Sequence, residues 1–127
     1  MKKITALVLL MCSLSCHAEW QVFNEAEDGT WYLDPTTQTT GTQAQVWTLF
    51  DHKQPVGAFG VRSVKTLVEA DCKAGWLREI SLVVFNSTMA QGSILRNTSP
   101  GTQKIYPPAG SAYDILAHKL CPDSSSR

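Results

Sequence analysis

The sequence predicts an α+β fold: a small antiparallel β-sheet packed against one C-terminal α-helix, with one disulfide. Three observations predict it. The body of the chain is a series of short β-like runs separated by turn residues. Its centre reads as a long hairpin, Val61 to Cys72 returning as Trp76 to Phe85. After Gly110 the hydrophobic period changes from the two-residue repeat of strands to that of a helix. A helix with one apolar stripe must bury it, and the sheet of hairpins supplies the surface.

Each element follows in order. Trp20 to Phe23 is the first expected strand, followed by the polar stretch Asn24 to Gly29. Thr30 to Asp34 is the second, stopped by Pro35. Gln43 to His52 is the third, with Val46, Trp47, Leu49 and Phe50 offering apolar groups to both faces; Pro55 and Gly57 are expected to break it. In the central hairpin Val64, Thr66, Val68, Ala70 and Cys72 share one face, and Lys65, Leu67, Glu69 and Asp71 the other. Lys73-Ala74-Gly75 is a three-residue connection with Gly75 at its left-handed position. The return strand then places Trp76, Ile80, Leu82 and Val84 on one face and Leu77, Val83 and Phe85 on the other. Gly92 to Arg96 adds a last short strand. Ser111 is the expected helix N-cap, with Asp114 three residues on in the place of a capping-box glutamate. Ala112, Ile115, Leu116 and Leu120 fall at i, i+3, i+4 and i+8, and Pro122 prevents the helix from continuing.

The first 18 residues are expected to be a secretory signal rather than part of the fold. Lys2 and Lys3 form a charged start, Ile4 to Leu14 an apolar run, and Cys16-His17-Ala18 puts small residues at the −3 and −1 positions of a cleavage between Ala18 and Glu19. The run is shorter than the roughly 20 residues of a membrane-spanning helix. The modified cysteine of bacterial lipoproteins follows a Leu-x-small pattern. Before Cys16 stand Ser13, Leu14 and Ser15, so a serine occupies the leucine position; Cys12 follows Met11, which is too large. A cleaved, soluble product is therefore expected, with a lipid anchor on Cys16 as the minority alternative.

The full chain of 127 residues balances 11 Lys+Arg against 11 Asp+Glu. Without the first 18 residues, 109 remain, and the loss of Lys2 and Lys3 leaves a slight acidic excess. One domain of residues 19–127 is expected, with no electrostatic case for nucleic acid or for a polybasic membrane patch. The cysteines left are Cys72 and Cys121. In an oxidising compartment two cysteines most simply form one crosslink, and this pair reads as structural rather than redox-active, although Cys121 follows His118 by three residues.

Catalytic signatures are sparse. His52 and His118 are the histidines beyond the signal, and no His-Glu-x-x-His, Walker glycine loop or Gly-x-Ser-x-Gly elbow accompanies them. A zinc site from Asp51, His52 and His118 is conceivable, but nothing in the spacing demands it. Glu25, Glu27 and Asp28 read as a solvated acidic loop, and Trp20, Trp31, Trp47 and Trp76 mostly as core or cross-strand partners. The expectation is a protein that is not an enzyme and carries no cofactor and no metal.

Several segments together carry a resemblance. Trp31-Tyr32-Leu33-Asp34-Pro35, Val46-Trp47-Thr48-Leu49-Phe50-Asp51 and Ser63-Val64-Lys65-Thr66-Leu67 leading to Glu69-Ala70-Asp71-Cys72 occur in one order, ending with Pro107-Pro108-Ala109-Gly110-Ser111 and a helix that closes on Cys121. In this the chain resembles the surface-adhesin protein E-like domain of Gram-negative bacteria, over essentially the whole mature length. Ala109 is an extra residue in the proline–glycine approach to the helix. The resemblance implies a small antiparallel sheet on a helix, Cys72 and Cys121 as a structural pair, and export to the periplasm or the outer-membrane surface. It also implies a binding module whose partners are host extracellular-matrix or plasma proteins; a homodimer is left open. Exposed edge strands are the expected contact surface, through strand addition. The alternative function is a soluble periplasmic envelope-maintenance or interaction protein with no host ligand. The ligand-binding residues are unassigned, since no short motif marks them.

Overall fold

The computed structural model describes residues 18–122. The expected signal up to position 17, with Cys12 and Cys16, lies outside the described residues. Ala18 and Glu19, the expected cleavage junction, are exposed and precede the first strand.

Six strands follow: β1 (Gln21–Glu25), β2 (Gly29–Asp34), β3 (Gln43–Val56), β4 (Val61–Asp71), β5 (Trp76–Phe85) and β6 (Ile94–Thr98), and then the helix α1 (Ala112–Leu120). They form one sheet in strict chain order, every neighbouring pair antiparallel. Short turns between consecutive β-like runs dictate this order, because antiparallel neighbours need only a hairpin to join them.

Several boundaries differ from expectation, those of β3 and β6 among them. β3 does not break before Pro55 but runs on to Val56. Its pairing with β4 is irregular between Asp51 and Val56, and β2 begins only at Gly29, opposite His52, so the missing proline N–H interrupts no regular ladder. β6 starts at Ile94, two residues later than the expected Gly92, because Ser93 and Gly92 belong to the turn that Asn86 closes by accepting from the Ser93 N–H.

Cross-strand partners share a face, so the register sorts every side chain. Leu33, Val46, Val68, Ala70 and Leu77 lie on the side covered by α1, where Leu116, Leu120 and Cys121 complete the buried cluster. Leu116 is fully buried, as its place on the apolar stripe requires. The expected faces of β5 need correction. Leu67 pairs with Ser81 but Val68 pairs with Glu79, so Ile80 is an extra residue, and this bulge reverses the alternation. Leu77 and Glu79 therefore share the helix side with Leu82 and Val84, while Trp76 and Arg78 share the other side with Val83 and Phe85.

The helix begins as expected. Ser111 Oγ accepts from the Asp114 N–H, and Asp114 Oδ2 in turn accepts from the Gly110 N–H at 2.9 Å. Its far end is tied to the sheet by the Cys72–Cys121 disulfide, whose Cα atoms are 5.4 Å apart. Cys72 sits in the β4–β5 connection rather than in β4 itself; that connection is four residues long, and Asp71 Oδ1 accepts from the Lys73 and Ala74 N–H groups to hold it.

Candidate functional site

One helix cannot cover both sides of a six-stranded sheet. The side away from α1 presents Tyr32, Trp47, Lys65, Leu67, Arg78 and Val83, all half-buried among their neighbours. A single row crosses five strand junctions: Val22, Tyr32, Leu49, Lys65, Val83 and Asn97 stand opposite one another from β1 to β6. Leu49 is fully buried in that row.

Aromatic rings and cations are interleaved on this face. The Lys65 ammonium sits 4.4 Å from the centre of the Trp47 ring. Trp76 is flanked by the Arg78 guanidinium at 5.8 Å and by Lys104 at 5.2 Å. Each contact keeps a charge against a flat apolar surface. Arg78 also anchors the face from below. Its Nε and a terminal nitrogen reach Glu69 Oε1 at 2.8 and 2.7 Å, while Gln45 Nε2 donates to Glu69 Oε2 at 2.7 Å. Glu69 is only 4% exposed, so these donors replace the water that its carboxylate has lost.

One end of the same face is closed by the turn at residues 88–90. Met89 and Ala90 both have φ of 57°, the left-handed region, and hydrogen bonds hold them there. The Met89 N–H donates to Asp51 Oδ1, the Ala90 N–H donates to Ser63 Oγ, and the Ser63 hydroxyl donates to the Ser87 carbonyl. Ser63 is fully buried under the turn.

The sheet edges are less suited to contact than the sequence suggested. β1 carries a bulge at Phe23 and β6 another at Leu95, and such irregularities blunt an edge against strand addition. Beyond the sheet, the β3–β4 hairpin carries Phe59 at 81% exposure.

The candidate metal residues are held apart in separate roles. Asp51 is the Met89 acceptor, His52 meets the Phe50 ring edge-on at 4.7 Å, and His118 Nδ1 lies 2.8 Å from the Asp114 carbonyl oxygen on its own helix. Among the described residues no three metal-ligating side chains are gathered. Glu25, Glu27 and Asp28 are exposed.

On the helix side, sequence reasoning missed a second arrangement. Trp31 contacts Phe23, Phe50 and Tyr113, with ring centres 6.2, 4.6 and 5.6 Å away. The Tyr113 hydroxyl donates to Glu79 Oε2 at 2.9 Å, bridging α1 to β5. Burial, reinforced by that carboxylate, raises the pKa of Tyr113 far above the ordinary tyrosine value, so the hydroxyl keeps its proton. The signal was hidden by the bulge at Ile80, which alone brings Glu79 to the helix side.

Among the described residues no helix is long and apolar enough to cross a membrane. Comparison with solved structures finds protein E of Haemophilus influenzae in several forms. One crystal form matches with a TM-score of 0.57 at 12% identity, covering 74% of this chain and 81% of that one. The selenomethionine form matches at 0.56 and 10%, covering 82% and 94%. Protein E from a non-typeable strain matches at 0.57 and 11%, covering 83% and 78%. At such identities the likeness is one of fold. No curated protein matches the chain. The family model described as surface-adhesin protein E matches residues 20–122, which is nearly all of the described chain. By that match, the chain belongs to the surface-adhesin protein E family.

Proposed function

We propose that residues 19–127 are an exported cell-envelope binding module that engages host matrix or plasma proteins through the sheet face away from α1. The observation that carries this is the set of half-exposed aromatic and cationic side chains there, Tyr32, Trp47, Lys65 and Arg78, on a sheet face that no α-helix covers among the described residues. Aromatic residues and arginine are the side chains that dominate protein–protein contacts, and a sheet presents them without ordering a loop on binding. Family membership supports the class of function, and the slight acidic excess of the mature chain leaves non-specific polyanion capture without a driving force.

The test is binding of the oxidised 19–127 chain to a panel of immobilised extracellular-matrix and plasma proteins. Saturable binding to at least one of them, weakened tenfold or more by Trp47→Ala in a protein of unchanged circular dichroism, is the expected result. Saturable binding that Trp47→Ala leaves intact refutes this face as the site. The competing reading is a soluble periplasmic interaction protein with no host ligand, favoured by Ser13 standing where a lipoprotein signal has leucine. It predicts no saturable binding to any member of the panel.

A further inference from the structure

A cavity of about 420 Å³ opens between α1, the sheet and the segment that leads into the helix, on the side opposite the proposed protein-binding face. Its walls are Trp31, Ile105, Pro107, Pro108 and Tyr113, and the one charged side chain that lines it is Glu79. We propose that this cavity binds a small organic ammonium ion, its carbon skeleton against Trp31 and the two prolines and its positive charge facing the Glu79 carboxylate. The volume is that of an ordinary small-molecule site, with apolar walls and one placed polar group.

The charge of the ligand follows from what surrounds Glu79. Arg78, next to it in sequence, points to the other side of the sheet and is committed to Glu69. Lys104, the nearest cation in the segment leading to the helix, lies over Trp76 rather than over the cavity. Tyr113 supplies one neutral hydrogen bond to Oε2, which leaves the carboxylate with spare acceptor capacity and no cationic partner among the described residues. An anion is disfavoured at the helix start beside the cavity. Asp114 and Ser111 already accept from the Gly110 and Asp114 N–H groups, so the chain's own carboxylate occupies the place an anion would take. Trp31 and Tyr113, with ring centres 5.6 Å apart, add two electron-rich rings suited to a cation.

The experiment is calorimetric titration of the oxidised 19–127 chain with 2-phenylethylammonium and benzyltrimethylammonium, set against neutral 2-phenylethanol and anionic phenylacetate. At least one of the two cations should bind tenfold or more tightly than the alcohol, with phenylacetate weakest. Glu79→Gln, which retains an acceptor for the Tyr113 hydroxyl, should bring cation affinity down to that of the alcohol without lowering the melting temperature by more than a few degrees. No cation binding at millimolar concentrations, equal affinity for the alcohol, or cation binding unchanged in Glu79→Gln would each overturn the proposal. If Glu79→Gln fails to fold, displacement of Tyr113 and Trp31 ring resonances by the cation in the parent protein decides instead, and their absence overturns it.

Discussion

Replacing Arg78 by methionine is the sharpest probe of the face away from the helix. Methionine preserves most of the stem but removes both nitrogens that reach Glu69 Oε1, leaving a carboxylate that is 4% exposed with Gln45 as its remaining hydrogen-bond donor. Breaking a buried ion pair by removing one partner typically costs about 3–5 kcal/mol. Arg78 is itself 33% exposed, so water can enter the space its head leaves and recover part of that loss. The expected cost is therefore lower, about 2–3 kcal/mol, or a fall of about 10–20 °C in the melting temperature of a domain this size. Differential scanning calorimetry on the oxidised protein measures it. Adding Glu69→Gln to Arg78→Met should restore more than half of the loss, because the buried charge is then gone. A fall below about 2 °C, or a double variant no better than the single one, would refute the idea that this pair supports the face.

Other expected outcomes concern separate parts of the molecule. Reduction of the Cys72–Cys121 bridge, or Cys72→Ala with Cys121→Ala, should lower unfolding free energy by about 4 kcal/mol in denaturant titration, from the chain-entropy value for a loop of 49 positions. Ser63→Ala leaves the Ser87 carbonyl and the Ala90 N–H without their buried partner and should cost about 1–3 kcal/mol by the same assay. Gly29→Ala should abolish or severely reduce soluble yield, since a Cβ there would collide with the Asp51 carbonyl and the Phe50 ring. The raised pKa of Tyr113 fixes a pH dependence. Up to about pH 10 both folded and unfolded chains hold its proton; above that only the unfolded chain releases it, so stability falls as pH rises. Urea midpoints at pH 9 and 11 should show this loss in the parent and less of it in Tyr113→Phe. Protease shaving of intact cells should digest the chain if it is surface-displayed, and protection until lysis would place it in the periplasm.

Elements with a strong local signal were legible in the sequence. The alternation of Val64 to Ala70, the turn glycine at Gly75 and the helical stripe of Leu116 and Leu120 each depend on neighbours within a few positions. What was not legible depends on register between strands. The bulge at Ile80 inserts one residue and transfers Glu79 to the opposite side, yet no proline or glycine marks it. The burial of Glu69 was equally hidden. An alternating Lys65-Leu67-Glu69 side reads as solvent-facing until Gln45 on β3 and Arg78 on β5 are known to flank it. Pro55 misled for a related reason: a proline ends a strand only where its N–H would have had a partner.

The strict chain order of the sheet also bears on how the molecule assembles. Every hairpin can close from residues already adjacent in sequence, so the sheet can zip from β1 to β6 as the chain emerges from its N-terminus. The helix and Cys121 come last, and their partners Val68, Ala70 and Cys72 are by then in place. Oxidation of the thiols is thus a closing event that traps a nearly finished fold. A chain kept reduced should form its hairpins at an unaltered rate and differ mainly in how fast it comes apart.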